Sequence, residues 1–442
     1  MIPLLLLLAV VGLMQAASTF TSSMTTGGTE LAFGFLLLAA YFSGKLVNRL
    51  GLPRLTGYLI AGVLAGPAVL DLVTTHMAGS LKVVNSVASC ILGLTAGAEL
   101  NLKKVCPLVP TLRGLMIFAI FGGMLILAGV LFAIRPLIPL FDELSLVQSV
   151  AVCGLLAVAL IPQSPAVVMA VLSEMKADGA LSRTMLASVV VADLFVIVLY
   201  AIASAIAGVF VGGGVDVTET IGHVAWELLG SMAFGALIGV LIGAFVRTVK
   251  EGGSMFVLMV CVVVAEVGTR VHLDPLVVML AAGIWLENFS RAKTHDLLVK
   301  FESAQLPVFL VWFALAGMKL DLIALWATII PVLVIAATRA IAFFLGARIA
   351  ATRSSAPDAV KTYGWVGLVP QAGLSLAFVV VIQNTFPTFG PAAAVIMLSV
   401  LGVNQLLSPL LLRRALLKSG EAGAKADADF AAHARAVTPL PH

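Results

Sequence analysis

The chain has 442 residues, of which 61% are hydrophobic and only 11% are charged, and its formal net charge is +4. A soluble domain usually carries about 25% charged residues, so these few charges cannot cover a surface that faces water. The apolar runs are continuous and about 20 residues long, which indicates membrane-spanning helices and excludes the short alternating strands of a membrane β-barrel. The composition therefore predicts an all-α polytopic membrane protein.

Thirteen apolar segments, separated by charged or turn residues, are predicted to be transmembrane helices. In chain order they are residues 31–49, 55–72, 81–99, 112–134, 147–172, 182–212, 223–248, 254–270, 275–289, 303–318, 325–350, 363–384 and 390–415. Residues 1–30 form an N-terminal apolar segment and an outside linker, and the apolar run at 2–13 is either a signal peptide or an extra short helix. Residues 416–442 are polar and Ala-rich, and we expect them to form a disordered cytoplasmic tail.

The basic residues are unevenly divided between the two sides that this succession of helices creates. Most of the 26 Lys and Arg residues lie in alternate loops or after the last predicted helix. The cytoplasmic loops of membrane proteins carry such an excess of basic residues. We therefore expect a multi-pass protein of the cell inner membrane, with its N-terminus outside after any signal cleavage and its C-terminus in the cytoplasm.

Two short sequence matches indicate an internal repeat. Residues 96–102 (AGAELNL) end the third predicted helix, and residues 316–322 (AGMKLDL) end the tenth. Pro162-Gln163 in the fifth helix matches Pro370-Gln371 in the twelfth, again seven helices later. Successive membrane helices run in opposite directions, so helices that are seven apart cross the membrane in opposite directions. This predicts the two inverted-topology repeats of secondary transporters. Chance similarity is the alternative. The predicted units are a transmembrane domain (31–415) made of repeat one (31–212), a linker helix (223–248) and repeat two (254–415).

Each repeat contains a helix that is predicted to be broken near the middle of the membrane. Pro162 and Pro165 lie in one such helix, and each removes an N–H donor and clashes with the carbonyl four residues earlier. Pro370 and Gly373 form a similar weak point in the second repeat. Corresponding interruptions in two repeats predict two crossing broken helices with a binding site at the midplane. Two independent proline kinks without a ligand are the alternative.

Two charged residues lie deep in the predicted helices. Asp193 is the acidic residue farthest from a predicted helix end, and a charge at the bilayer centre costs about 2.5–3.5 kcal/mol on insertion scales, so it usually faces a cavity and has a function. Arg339 lies near the centre of the eleventh predicted helix and stays protonated. We expect Arg339 to balance charge, with Asp193, Glu266 or the carbonyl ends of a broken helix as its acceptor.

These residues occur in stretches that resemble one family of transporters. Over about residues 31–415 the chain is similar to the sodium/proton exchanger domain of bacterial monovalent cation:proton antiporters, the second cation:proton antiporter family. The similar stretches are AGAELNLK, SPAVVMAVLSEMKADGALSRTMLASVVVADLFVIVLY, LAGMKLDL, VPQAGLSLAF and LLSPLLLRR. The resemblance implies that Asp193 is the family's second acid, that Arg339 is its basic residue, and that the protein is a homodimer with a moving core domain. The chain departs from the family at Ala192, where the family carries Asn, Asp or Gln.

The residues and the resemblance together predict a secondary active transporter that exchanges Na⁺ or K⁺ for H⁺ by alternating access. Hard cations prefer oxygen ligands, which Asp193, Ser164, Gln163, Gln371 and the carbonyls freed at the two breaks would supply. Because only one of positions 192 and 193 is acidic, we expect electroneutral exchange. We expect no cofactor, no nucleic-acid partner and no enzymatic activity; the partners are the ions, membrane lipid and a second copy of the chain.

Two other functions stay open at this point. A cation channel or efflux subunit gated by a partner chain would use the same scaffold without a gating domain of its own. A sodium-coupled organic-solute carrier would need more polar or cationic lining than Arg339 supplies. The choice between Na⁺ and K⁺ is open too, because both take oxygen ligands and the sequence does not give the size of the cavity.

Overall fold

The computed structural model describes residues 2–20, 28–212, 222, 226–248, 253–290, 307–318 and 322–424. Helices form nearly all of this part of the chain, and eight of them are long and apolar enough to cross a membrane. Further apolar helices in the described residues are shorter, at 10–17 residues. The predicted all-α polytopic membrane protein is thus confirmed.

The main helices are numbered here in chain order, and the shorter turns between them are left unnumbered. They are α1 (Ile2–Phe20), α2 (Gly28–Arg49), α3 (Arg54–Ala65), α4 (Lys82–Glu99), α5 (109–134), α6 (Leu146–Leu160), α7 (Pro165–Met175), α8 (Ala180–Val211), α9 (Ser231–Thr248), α10 (Gly253–Arg270), α11 (Pro275–Asn288), α12 (Pro307–Met318), α13 (Ile329–Arg353), α14 (Asp358–Tyr363), α15 (Gly373–Thr385) and α16 (Gly390–Ser419). Most predicted bounds lie within a few residues of these. The second predicted segment is clearly too long, since α3 ends at Ala65 and not at residue 72. Gly66 precedes Pro67, and the residue before a proline is disfavoured in a helix.

Both predicted helix breaks are present. α6 ends at Leu160, residues 161–164 are not helical, and α7 begins at Pro165. Proline is tolerated at the first position of a helix because an N–H there would have no partner within the helix. In the second broken helix, α14 continues as a 3₁₀ turn to Leu368, residues 369–372 are not helical, and α15 begins at Gly373.

The helices pack around two hydrophobic clusters. The larger cluster includes both broken helices together with α8, α13 and α16. The smaller cluster is built from α4, α9, α10 and α11. The candidate site lies within the larger cluster, because the breaks, Asp193 and Arg339 all belong to helices that contribute to it.

Two helix pairs, α4 with α11 and α3 with α12, approach each other so closely that only glycine fits at the contact. In five places a Cβ on a glycine would collide with a carbonyl oxygen of the facing helix: at Gly93 with Leu276, at Gly97 with Leu280, at Gly283 with Leu94, at Gly317 with Leu59 and at Gly62 with Ala314. Small residues at interfaces permit this close packing of membrane helices.

The two ends of the described chain are both ordered by contacts. α1 covers the apolar run at 2–13 and packs against α2, with Met14 buried. At the other end α16 continues to Ser419, and residues 420–424 are hydrogen-bonded to the α7–α8 loop. The expectation of a disordered tail from residue 416 is therefore wrong for 416–424. Residues 425–442 lie outside the described residues.

Candidate ion-binding site at the two broken helices

Arg339 joins the two helix breaks. Its side chain is 1% exposed and lies over the Phe343 ring, with the guanidinium carbon 4.6 Å from the ring centre. All of its hydrogen bonds go to main-chain carbonyls at the breaks: Nε donates to Leu160 (2.8 Å), Nη1 to Val369 (2.6 Å), and Nη2 to Ile161 (3.2 Å), Pro162 (2.9 Å) and Leu368 (3.1 Å). The last carbonyls of a helix have no partner within it, and they form the negative end of its dipole. One buried guanidinium therefore satisfies the carbonyl ends of both interrupted helices.

This arrangement selects one of the three predicted acceptors of Arg339, the carbonyl ends. Within the described residues no ion pair links Arg339 to Asp193 or to Glu266. Five carbonyls at the two breaks already accept from this permanent cation, and a second positive charge beside them would be repelled. That the carbonyls freed at Pro162 and Pro370 complete the shell of a transported cation stays a prediction, which this repulsion disfavours.

Gln371 connects the second break to the first. Its Nε2 donates to the Leu160 carbonyl (2.7 Å) and to Ser375 Oγ (3.3 Å), and its Oε1 accepts from Asn404 Nδ2 (2.6 Å). The side chain is 1% exposed. Its amide oxygen is thus occupied, so Gln371 acts here as a cross-link between the breaks. Asn404, on α16, was not among the predicted site residues; its position in an apolar helix was the signal that could have identified it.

Gln163 and Ser164 occupy the first break and are both buried. The Gln163 Nε2 donates to the carbonyl of Ile161, while its Oε1 is enclosed and accepts no hydrogen bond from the residues that the structure describes. Ser164 Oγ caps α7 by accepting from the N–H of Val167 at 3.2 Å. The break therefore presents one amide oxygen without a donor.

Asp193 faces the same break from α8. Its carboxylate lies near the backbone N–H of Gln163. The residue is partly exposed, yet its Oδ1 is enclosed and, in the described part of the chain, has no hydrogen-bond partner. Ala192, beside it, is completely buried. A buried oxygen without a donor normally marks a place where water or an ion binds.

Tyr200, two turns beyond Asp193 on α8, fixes this helix against the second broken helix. Its ring stacks on Phe378 of α15 with centroids 3.8 Å apart. The ring is 1% exposed. α8 therefore contacts α15 through an aromatic pair, two turns beyond Asp193.

Solved structures with the same fold are sodium/proton antiporters. One structure of the sodium proton antiporter MjNhaP1 from Methanocaldococcus jannaschii, determined at pH 8, matches with a TM-score of 0.64 and 16% identity, covering 88% of this chain and 97% of that one. An electron-microscopy map of the same antiporter matches with a TM-score of 0.68 and 15% identity, covering 88% of this chain and 96% of that one. At this identity the likeness shows the fold. No curated protein sequence matches the chain.

The family is established by the sequence itself. Residues 3–413 match the profile of the family described as sodium/hydrogen exchanger, transmembrane. This match includes both breaks, Asp193 and Arg339. The chain therefore belongs to the transmembrane sodium/hydrogen exchangers, a family of transporters that exchange a cation for a proton.

Proposed function

We propose that Asp193 is the residue at which this exchanger binds its proton and its cation in turn. The observation that supports the proposal is a pair of enclosed oxygens without donors, Asp193 Oδ1 and Gln163 Oε1, beside an interrupted helix. A bound Na⁺ or K⁺ would satisfy both oxygens, since hard cations prefer oxygen ligands. Ser164 Oγ, which has a further lone pair, is the third ligand that we assign.

Alternating occupancy follows from the cost of an unpaired charge. Asp193 is neutralised by a proton or by a coordinated cation, and an empty carboxylate costs several kcal/mol to carry through a low-dielectric barrier. Transitions between outward and inward access are therefore favoured only with one of the two bound. Arg339 does not neutralise Asp193, because its donors are bonded to carbonyls.

The replacement of Asp193 by Asn tests this proposal directly. Asn is close to Asp in shape and cannot lose a proton, so we expect Na⁺- and K⁺-dependent proton flux in everted vesicles to fall to background. The exposed Asp142→Asn is the matched control and should leave the flux unchanged. Size-exclusion profiles and thermal unfolding in detergent should show that both variants fold. Normal flux in the Asp193 variant would end the assignment.

Proton release provides a second measurement that does not depend on transport. Addition of Na⁺ to weakly buffered, detergent-solubilised protein should displace a proton from Asp193 in the wild-type chain. The Asp193→Asn variant should release none. If the wild type binds Na⁺ without releasing a proton, the cation and the proton bind at different sites, which would contradict the proposal that both bind to Asp193.

We further propose that the molecule is built from two inverted repeats, residues 31–212 and 254–415, joined by the helix at 223–248. The glycine contacts support this. In the sequence match, Gly97 corresponds to Gly317. Gly97 faces Leu280 of α11, and Gly317 faces Leu59 of α3. Under a shift of seven predicted helices α3 corresponds to α11, so the two close contacts are equivalent.

The assembly and orientation proposed here rest on the family resemblance and on the distribution of basic residues. We propose a homodimer in an inner membrane, with the α7–α8 loop and the end of α16 in the cytoplasm. The smaller hydrophobic cluster, formed by α4, α9, α10 and α11, is the candidate dimerisation region. The larger cluster, which contains both breaks, is the candidate moving core. Cross-linking in membranes through cysteines placed on α9 would test the dimer.

A further inference from the structure

The segment that follows the last helix folds back onto the loop between α7 and α8. α16 ends at Ser419, and Gly420 reverses the chain with φ +75°, a left-handed conformation that favours glycine. The N–H of Ala422 then returns to the carbonyl of Leu416 at 3.3 Å. This turn places the side chain of Glu421 over the beginning of α8.

The Glu421 carboxylate caps α8. Its Oε1 accepts from the N–H of Leu181 at 2.7 Å, and its Oε2 accepts from the N–H of Ser182 at 2.8 Å and from Ser182 Oγ at 2.7 Å. The first N–H groups of a helix lack partners within it and form the positive end of its dipole, so a carboxylate there is stabilising. α8 has no cap from its own preceding residue, Gly179. The cap is supplied by a residue 239 positions later in the sequence.

The same segment holds the end of α7. The N–H of Gly423 donates to the carbonyl of Met175 at 2.9 Å, and the N–H of Asp178 donates to the carbonyl of Glu421 at 3.3 Å. α7 begins at the first break, and α8 carries Asp193. Residues 420–424 therefore bond to the far ends of both helices that meet at the candidate ion site.

We propose that residues 420–424 form a clasp that sets the position of Asp193 relative to the first break, with Glu421 as the positioning residue. The inference rests on the assignment of Asp193 above. Asp193 is the twelfth residue after Leu181 in α8, about 18 Å along the helix, so Glu421 acts through helix position and touches no ion. The oxygens of Asp193 and Gln163 bind one cation only when α7 and α8 keep their axial register.

The Glu421→Ala variant tests the clasp. It removes all three side-chain hydrogen bonds, and we expect the KM for Na⁺ to rise at least about threefold and the pH profile of exchange to shift, since small displacements of binding groups are costly. Glu421→Gln keeps an acceptor oxygen, so its KM for Na⁺ should lie between those of the wild type and Glu421→Ala. Asp358→Ala is the matched control, because Asp358 is an exposed carboxylate in the first turn of α14. It should change neither KM nor pH profile.

Gly179→Ala provides a second, independent variant. Its φ of 163° is extended backbone that any residue adopts, so the substitution does not strain the chain. A Cβ there would run into the Glu421 side chain. Gly179→Ala alone should therefore raise the KM as Glu421→Ala does. In the double variant it should add nothing, because the obstructing side chain is gone.

The outcomes separate the clasp from the proposed function. If Glu421→Ala keeps the wild-type KM and pH profile, the clasp is overturned. The clasp is also overturned if the variant lowers only the maximal rate, in proportion to a smaller amount of folded protein. Both results leave Asp193 as the exchange site. Activity in Asp193→Asn overturns the site itself. If Glu421→Ala does not fold, Ser182→Ala, which removes one of the three bonds, decides in its place by the same KM measurement.

Discussion

Arg339 is the residue on which the geometry of the two breaks depends. Its guanidinium is bonded to five carbonyl oxygens, three from the first broken helix and two from the second. Burial of a guanidinium costs free energy that only such complete pairing offsets. Its loss would leave several buried carbonyls without donors and two negative helix ends facing each other.

We expect Arg339→Met to destabilise the protein by about 3–5 kcal/mol, because several buried carbonyls would lose their donor at about 1–3 kcal/mol each. The stability of Arg339→Lys should lie between those of the wild type and Arg339→Met, because one ammonium group cannot reach all the carbonyls that the planar guanidinium contacts. Thermal unfolding in detergent measures the effect. Arg348→Met, an exposed site on the same helix, is the control. An Arg339→Met variant of normal stability with a changed KM for Na⁺ would instead assign it to ion handling.

Single residues were predictable from sequence where their chemistry conflicts with a membrane. Asp193, Arg339 and the prolines all stand out because a charge or a missing N–H is costly in hydrocarbon. Their partners were not predictable. The roles of Gln371 and Asn404 depend on which helices cross, and a capping carboxylate such as Glu421 lies in a polar segment with no local sign of its target.

At the scale of helices, the two glycine-lined contacts should be the most sensitive to added volume. Gly97→Ala and Gly317→Ala each place a Cβ against a backbone carbonyl that cannot move aside like a side chain. Overpacking of this kind costs about 1–3 kcal/mol. If the repeats are equivalent, the two variants should lose similar stability, as measured by thermal unfolding.

Gly129→Ala is the matched control for this pair. A Cβ at Gly129 meets nothing within 4 Å, and alanine favours helix over glycine by up to about 1 kcal/mol. Its unfolding temperature should stay equal or rise slightly. Equal stability of all three variants would show that the backbones of these helix pairs can separate, which would contradict the close contact.

Helices were largely predictable from apolar length and from their breakers. The predicted segment 182–212 is α8, Ala180–Val211, and the breaks lie where Pro162 and Pro370 indicate. The end of α16 was missed, because polar residues after an apolar run resemble a tail. Its order comes from long-range hydrogen bonds between residues 420–424 and the α7–α8 loop, which local composition does not encode.

At the scale of the whole transporter, the charges available at the site determine whether exchange moves net charge. Ala192 is completely buried and carries no second carboxylate. Arg339 is bonded to carbonyls at both breaks, and within the described residues no ion pair links it to Asp193. One carboxylate that binds either one proton or one monovalent cation carries the same charge in both directions, so we predict one-for-one, electroneutral exchange.

Proteoliposomes with an imposed membrane potential test this prediction. We expect the rate of Na⁺/H⁺ exchange to be the same at positive, zero and negative potential, because the loaded site is neutral whichever ion it holds. A potential-sensitive dye should report no charge movement when a Na⁺ gradient drives proton flux. Protein-free liposomes and the Asp193→Asn variant give the background. Na⁺-driven charge movement above that background would require a second proton-binding group and would contradict a site built on Asp193 alone.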